Sequence, residues 1–126
     1  MKLLEKILVP VRINETSVEQ LKVPIQLANK FHSQLILLHV LPAVANKDSI
    51  NSLIMNYVDR DFKKILTDLE KIGVQAEKRI AYGNMFDQTL SISETEDVNL
   101  ILIVNEMEDI DANNKINVVA EKLIRK

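Results

Sequence analysis

The sequence predicts a single α/β domain, a doubly wound parallel sheet with helices on both faces. Three short runs, residues 7–11, 35–40 and 100–104, are almost continuously apolar, which is typical of parallel strands buried on both faces. Amphipathic segments separate these runs, so the predicted order is β-α-β-α-β-α-β-α with right-handed crossovers. A chain of 126 residues suffices for one core of this kind. We therefore assign residues 1–126 to one domain.

The first helix is predicted to follow the first strand. Thr16 and Glu19 have the spacing of a capping box, and His32 is predicted to cap the other end in a left-handed conformation. Pro24 lies inside this segment and should kink the helix, because it removes one hydrogen bond. Four apolar residues recur at helical spacing: Val18, Leu21, Ile25 and Ala28.

A second, longest helix is predicted from Asp48 or Ser49 to a cap at Gly73. Residues 74–82 alternate in polarity and predict an edge strand. Asn84 is predicted to cap a third helix ending near residue 96, and a fourth is predicted over 115–124. Tyr57 and Phe62 of this helix are predicted to be core. They lie on an apolar stripe that consists of Ile50, Leu53, Ile54, Tyr57, Val58, Phe62, Ile65, Leu66, Leu69 and Ile72.

Composition excludes several classes of function. Sixteen basic and eighteen acidic residues give a net charge of -2, which offers no electrostatic case for nucleic acid. With no cysteine, the chain has neither disulfides nor thiolate metal sites. Glu5 and Lys6 interrupt the N-terminal apolar run before it resembles a signal peptide. The longest apolar stretch, 35–45, is too short to span a bilayer. We therefore expect a soluble, cytoplasmic protein that binds no membrane.

Glycine is scarce, and catalytic motifs are absent. The two glycines are Gly73 and Gly83, where average usage of about 7% would give roughly nine. Backbones that cradle phosphate need glycine, because a Cβ blocks the close approach. The sequence has no Gly-x-Ser-x-Gly elbow and no Walker loop, so we predict no catalytic residues. Residues 109–113 match half of a calcium loop, but Asn114 and Ala120 break the pattern, so no metal is expected.

Four pieces of the chain together resemble the universal stress protein family: residues 6–11, residues 31–42, Gly83 before a helix, and residues 119–123. The resemblance spans the whole chain and implies a flavodoxin-like sheet in the order 3-2-1-4-5. Because the sequence stops within or just past the last predicted helix, we predict the order 3-2-1-4 without the fifth strand. Strand 100–104 would then be an apolar edge. A second copy, or the other half of a tandem protein, is the expected partner.

Many members of that family bind ATP, and the resemblance points to the corresponding positions here. Arg12 falls on the aspartate that follows the first strand in the family. Val104 and Met107 fall on the first two glycines of the pattern Gly-x-x-Gly, nine residues, then Gly-Ser or Gly-Thr. Asn117 and Val118 fall on the third glycine and the hydroxyl residue. Every signature position is therefore replaced.

These replacements predict a degenerate nucleotide crevice and no cofactor. Side chains stand where the backbone should approach phosphate, and the four carboxylates within residues 105–114 would repel a triphosphate. We predict that ATP does not bind in the family's manner. If the crevice is used at all, its lining is Pro10, Val11, Arg12, Val40, Val104, Met107, Asn117 and Val118.

Single residues near the crevice leave alternatives open. Arg12 either binds an anion or forms an internal ion pair with Glu106 or Glu108. His39 is expected to pack in the core or at its rim, and the turn at Gly83 is expected to be structural. The favoured interpretation is a non-enzymatic universal stress protein-like domain that acts through protein contacts. The alternative is a nucleotide or small-anion sensor that uses Arg12. A metal-dependent hydrolase that uses the acidic loop is a third, weaker hypothesis.

Overall fold

The chain folds as a five-stranded sheet with helices on both faces. A computed structural model describes residues 4–42, 48–104 and 118–123. The elements in chain order are β1 (Lys6–Pro10), α1 (Lys22–Phe31), β2 (Gln34–Leu41), α2 (Asp48–Lys71), β3 (Ala76–Tyr82), α3 (Met85–Thr95), β4 (Leu100–Val104) and β5 (Val118–Leu123). Two short 3-10 turns, Ile13–Glu15 and Val18–Leu21, join β1 to α1.

The strand order is β3-β2-β1-β4-β5, and the first four strands are parallel. The predicted order 3-2-1-4 is therefore confirmed, as is the edge position of β3. Leu8 pairs with Ile36 of β2 on one side and with Ile101 of β4 on the other. The continuous apolar pattern of β1 and β2 reflects burial on both faces.

The predicted helix over 115–124 and the missing fifth strand are wrong within the described residues. Residues 118–123 form β5, which pairs antiparallel with β4 from Val104↔Val118 to Leu100↔Leu123, with an irregularity between Ile101 and Leu102. An antiparallel strand needs only a chain that turns back, whereas a parallel strand needs a crossover. The apolar edge of β4 therefore pairs within the chain, and this pairing outweighs the helical spacing of the segment.

Two apolar layers enclose the sheet. The larger layer packs α1 and α2 against alternate strand residues, among them Ile7, Val9, Leu35 and Leu37. The smaller layer lies under α3 and contains the intervening strand residues, among them Leu8, Ile36, Leu38 and Ile101. No helix of the described residues has the length and apolar character needed to cross a membrane.

The first helix starts later than predicted. A capping box is present, but it joins Ser17 to Gln20 and opens the second 3-10 turn. Pro24 is the third residue of α1, where an α-helix has no N–H bond to lose, so the reason for the predicted kink disappears. His32 ends the helix at φ 57°, ψ 45°, as predicted.

The buried core positions of α2 begin at Val58, and Met55 packs against the same layer. Phe62 and Leu69 are fully buried, and Val58 and Ile65 nearly so. The first turns carry an exposed apolar face, the α2 stripe, which consists of Ile50, Leu53, Ile54 and Tyr57 (50, 55, 37 and 50% exposed). The prediction that Tyr57 is core is therefore wrong.

The lengths of the elements explain the α2 stripe. The 24 residues of α2 span about 36 Å at 1.5 Å per residue. The eight residues of β2 span only about 26 Å at 3.3 Å per residue. Because α2 ends just before the turn at Gly73 that leads into β3, its first turns overhang the carboxyl ends of the strands.

Candidate functional site

The candidate site lies at the carboxyl ends of β1, β2 and β4, where open parallel sheets bind ligands. Pro10 ends β1 and is half-buried, and Val11 is buried in the larger layer. The backbone N–H of Val11 donates to the carbonyl oxygen of Leu38 at 2.8 Å. This bond continues the sheet by one residue, so the chain leaves the sheet at Arg12.

Arg12 points into solvent. Its side chain is 71% exposed, and Nη1 lies 3.5 Å from Oε1 of Glu15, which is itself more than half exposed. A contact of this length between exposed groups holds the guanidinium only weakly. The predicted partners Glu106 and Glu108 lie outside the described residues.

Two of the other predicted crevice residues that the structure describes, Val40 and Val104, lie in different apolar layers. Val40 packs with the smaller layer, and Val104 packs with the larger layer on the opposite face of the sheet. Val118 is the first residue of β5 and the register partner of Val104. Met107 and Asn117 lie outside the described residues.

His39 links β2 to the turn that follows β1. The buried N–H of Ile13 donates to Nδ1 of His39 at 3.1 Å, and the carbonyl oxygen of Val11 lies 3.3 Å from the same nitrogen. The ring stands edge-on to Phe62 of α2, with centroids 6.4 Å apart. Burial lowers the pKa of His39, although the carbonyl of Val11 and the charge of Asp61 oppose that shift. The expectation that His39 packs in the core is met, but its bond to Ile13 was not foreseen. A lone polar residue in an apolar strand was the available signal, since buried polar groups need partners.

The turn into α3 has the predicted structure. Gly83 adopts φ +128° and donates its N–H to the carbonyl oxygen of Leu41 at 2.8 Å. The Oδ1 of Asn84 accepts the N–H of Asp87 at 3.0 Å and so caps α3. These bonds account for the turn without any ligand.

An ion cluster on the smaller-layer side was not predicted. Arg79 of β3 donates from Nε and Nη2 to the two carboxylate oxygens of Glu96 at 2.6 and 2.8 Å. A further contact joins Arg79 to Glu77 at 3.0 Å. These hydrogen bonds, which Arg79 donates, lower the pKa of Glu96 and raise the pKa of Arg79. Since Arg79 and Glu96 are far apart in sequence, no local pattern indicates the pair.

Metal ligands do not converge in the part of the chain that the structure describes. No group of three or more histidine or acidic side chains there has the geometry to hold an ion. The predicted acidic loop over 105–114 lies outside that part. An open groove between α2 and β3, lined by residues such as Lys63, Glu70 and Lys78, runs along the sheet edge rather than at the candidate site.

Several solved structures resemble this chain, and they define its class of fold. The chain has the fold of the universal stress proteins, which the sequence resemblance implied. It matches a universal stress protein family member from Burkholderia pseudomallei (TM-score 0.62, 16% identity, 82% of this chain and 83% of that one). It also matches UspA from Lactobacillus plantarum (TM-score 0.52, 14% identity, 79% and 75%).

A third match is the hypothetical protein MJ0577 (TM-score 0.60, 22% identity, 79% of this chain and 73% of that one). No protein-family model and no curated protein matches the sequence. At these identities the likeness establishes the fold, and the function has to be argued from this chain's own residues.

Proposed function

We propose that this chain is a universal stress protein-like domain with a stress-response or regulatory role, which acts through protein contacts and does not bind ATP in the family's manner. The pairing of Val104 with Val118 carries the proposal. These residues fall on a signature glycine and on the signature hydroxyl position. Here they are neighbours in an antiparallel ladder. Val118 begins a strand, and it does not stand at the N-terminus of a helix, where phosphate would be attracted.

Further features support an absence of ATP binding. The side chain of Val104 packs against the larger apolar layer, so a Cβ occupies the place where a phosphate loop needs open backbone. Arg12 stands where the family resemblance places an aspartate. We propose no catalytic activity and no cofactor. The absence of cysteine supports a cytoplasmic location, and the net charge of -2 argues against nucleic acid as a partner.

Calorimetry and thermal shift with ATP and Mg²⁺ test this proposal. A ligand that binds only the folded state raises stability by RT ln(1 + [L]/Kd), so ATP would raise Tm if it bound. We expect a high concentration of ATP to leave Tm unchanged. A binding stoichiometry of about one ATP per chain, together with loss of that binding in Val104→Phe, would contradict the proposal. Lys30→Ala, an exposed residue at the far end of α1, is the control.

A second copy of this chain is the proposed partner. The α2 stripe supports this choice, because a two-fold axis beside it places the same four apolar side chains on both sides. The other partner expected from the sequence, a second domain of a tandem protein, would cover the same apolar face in one chain. Sedimentation should show a dimer that Leu53→Glu dissociates. Ser52→Glu adds the same charge to an exposed position on the opposite side of α2 and should leave the dimer intact. A monomer at every concentration would contradict self-association.

Arg12 favours a second candidate function, a sensor of nucleotides or small anions. An exposed guanidinium at the carboxyl edge, loosely paired with Glu15, has N–H donors available for phosphate. Thermal shift with a panel of nucleotides and inorganic phosphate tests this role. The sensor predicts that one ligand raises Tm and that Arg12→Ala abolishes the shift while Lys30→Ala preserves it. No shift with any member of the panel would rule out the sensor.

A further inference from the structure

Among the described residues, one hydrogen bond joins the turn after β1 to strand β2, and it runs to a histidine nitrogen. The side chain of Ile13 also packs in the larger layer. The other described hydrogen bonds of residues 12–16 are internal to the turn. Glu15 N–H and the Thr16 hydroxyl both donate to the carbonyl oxygen of Arg12, at 2.8 and 2.7 Å. The bond that joins this turn to β2 runs from the N–H of Ile13 to Nδ1 of His39. We call residues 12–16 the β1 turn.

This bond requires a neutral imidazole. To accept the N–H of Ile13, Nδ1 must present its lone pair, so the ring proton resides on Nε2. A protonated ring carries a hydrogen on both nitrogens and has no acceptor left. Among the described residues, the acceptor within reach of its Nδ1–H is then the carbonyl oxygen of Val11, at 3.3 Å.

The two hydrogen bonds therefore exclude each other. With a neutral ring, Nδ1 holds the N–H of Ile13. With a charged ring, Nδ1–H donates to Val11, and two N–H groups face each other at 3.1 Å. Ile13 as a whole residue is only 2% exposed, so water cannot take over its N–H unless the turn moves. A buried donor without an acceptor is strongly unfavourable.

Among the described residues, Asp61 is the charged group that acts on the ring of His39, and further charged residues lie on the neighbouring elements. Arg12 and Glu15 lie on the β1 turn and pair with each other. Asp61 of α2 favours the charged ring. Lys78 of β3 forms an ion pair with Asp59 of α2. It lies two residues before Ile80, the register partner of His39. Glu19 lies on the second 3-10 turn. Phe62 presents its ring to the histidine from the core side.

We infer that His39 is a proton-operated latch: protonation of its ring breaks the bond to Ile13 and releases the β1 turn, with Arg12, from the sheet. The neutral ring holds the turn closed and fixes the backbone next to Arg12 at the carboxyl edge. Acidification opens the turn while the strands on either side of His39 stay paired. The latch acts on this chain alone, and it operates whether or not the candidate site binds an anion.

Nuclear magnetic resonance tests the latch directly. The ring of His39 is titrated from pH 8 to pH 5, and amide hydrogen exchange is followed at Ile13 and at Leu37, a fully buried residue of β2. The latch predicts that the Ile13 signal shifts with the ring titration of His39. Once that titration begins, the protection factor of Ile13 should fall, approaching about tenfold per pH unit, while Leu37 remains protected.

Two histidine variants make the test specific, since the chain has two histidines. In His39→Asn, the amide oxygen stands near the position of Nδ1 and accepts the N–H of Ile13 without titrating. This variant should keep Ile13 protected across the whole range. His32→Asn, in the left-handed cap of α1, should titrate like the natural chain.

Two outcomes would overturn the latch. One is an Ile13 protection factor that does not change while the His39 ring titrates, or that falls equally in His39→Asn. The other is a parallel loss at Leu37, which would mean that acid unfolds the whole sheet and not the turn. Loss at Ile13 alone, absent from His39→Asn and present in His32→Asn, supports the latch.

Discussion

Replacing Phe62 by alanine tests whether α2 contributes to the core through the buried positions from Val58 onward and not through the α2 stripe. Phe62 is fully buried, packs in the larger layer and touches the ring of His39 edge-on. Removing a buried phenylalanine side chain typically reduces the free energy of unfolding by about 3–5 kcal/mol, the sum of lost transfer and cavity terms. A chain of this size has roughly 6–19 kcal/mol in total. Phe62→Ala should therefore fold but lose a large share of its stability.

Tyr57→Ala is the matched control on the same helix. The ring of Tyr57 is half-exposed, and the described contact on it is the guanidinium of Arg60 at 4.8 Å from its centroid. An exposed cation–π contact contributes about 0.5–1 kcal/mol. Because the rest of the ring already faces water, Tyr57→Ala should reduce the free energy of unfolding by about 1 kcal/mol in total.

Urea unfolding followed by circular dichroism gives both values, measured at low protein concentration. Equal m values would show that the variants unfold from comparable native states. A loss for Tyr57→Ala as large as that for Phe62→Ala would refute the overhang of α2. A Tyr57→Ala loss that grows with protein concentration would instead report a second copy seated on the α2 stripe.

Three more predictions follow from the local contacts. Glu96→Gln should reduce the free energy of unfolding by about 1 kcal/mol. The control Glu94→Gln, at an exposed position of α3, should leave the free energy of unfolding unchanged. Because Arg79 lowers the pKa of Glu96 below 4.5, this difference is present above pH 4.5 and disappears as the pH falls through the lowered value. The natural chain should lose stability relative to His39→Asn below pH 6.5, because burial keeps the folded histidine neutral while the unfolded one binds a proton; the slope is at most about 1.4 kcal/mol per pH unit, and a rise in stability would contradict the sign. Gly83→Ala should destabilise by about 2 kcal/mol and Gly73→Ala by about 1 kcal/mol in thermal unfolding, since the φ of Gly83, +128°, lies outside the left-handed helical region and its new Cβ would lie 3.3 Å from Gln88. Equal losses at the two glycines would contradict this account.

The central strands were predictable because strands buried on both faces consist almost entirely of apolar residues. Continuous apolar runs at β1 and β2 require helices on both faces, and the structure has residues such as Leu8 and Leu37 fully buried. The helix cap at Asn84 and the left-handed residue His32 were also predictable, because their chemistry is local.

The failures share a different cause, which is dependence on distant parts of the chain. Residues 118–123 carry a spacing compatible with either a helix or a strand, and the open edge of β4 decides between them. Helical periodicity shows which face of α2 is apolar but not how far the sheet extends beneath it, so the prediction for Tyr57 failed. The Arg79–Glu96 pair and the Ile13–His39 bond join distant residues. The lone histidine in an apolar strand indicates that a partner is needed, but no local pattern identifies the partner in either case.

Nucleotide carried through purification tests the central claim most directly, namely that a universal stress protein fold is present without the family's ATP site. The freshly purified chain is denatured, and the released small molecules are measured by chromatography and mass spectrometry. The account predicts no bound nucleotide, and no rise in Tm when ATP is added back. ATP, ADP or AMP at about one molecule per chain would contradict the account and would place a nucleotide in the crevice beside Arg12 and Val104.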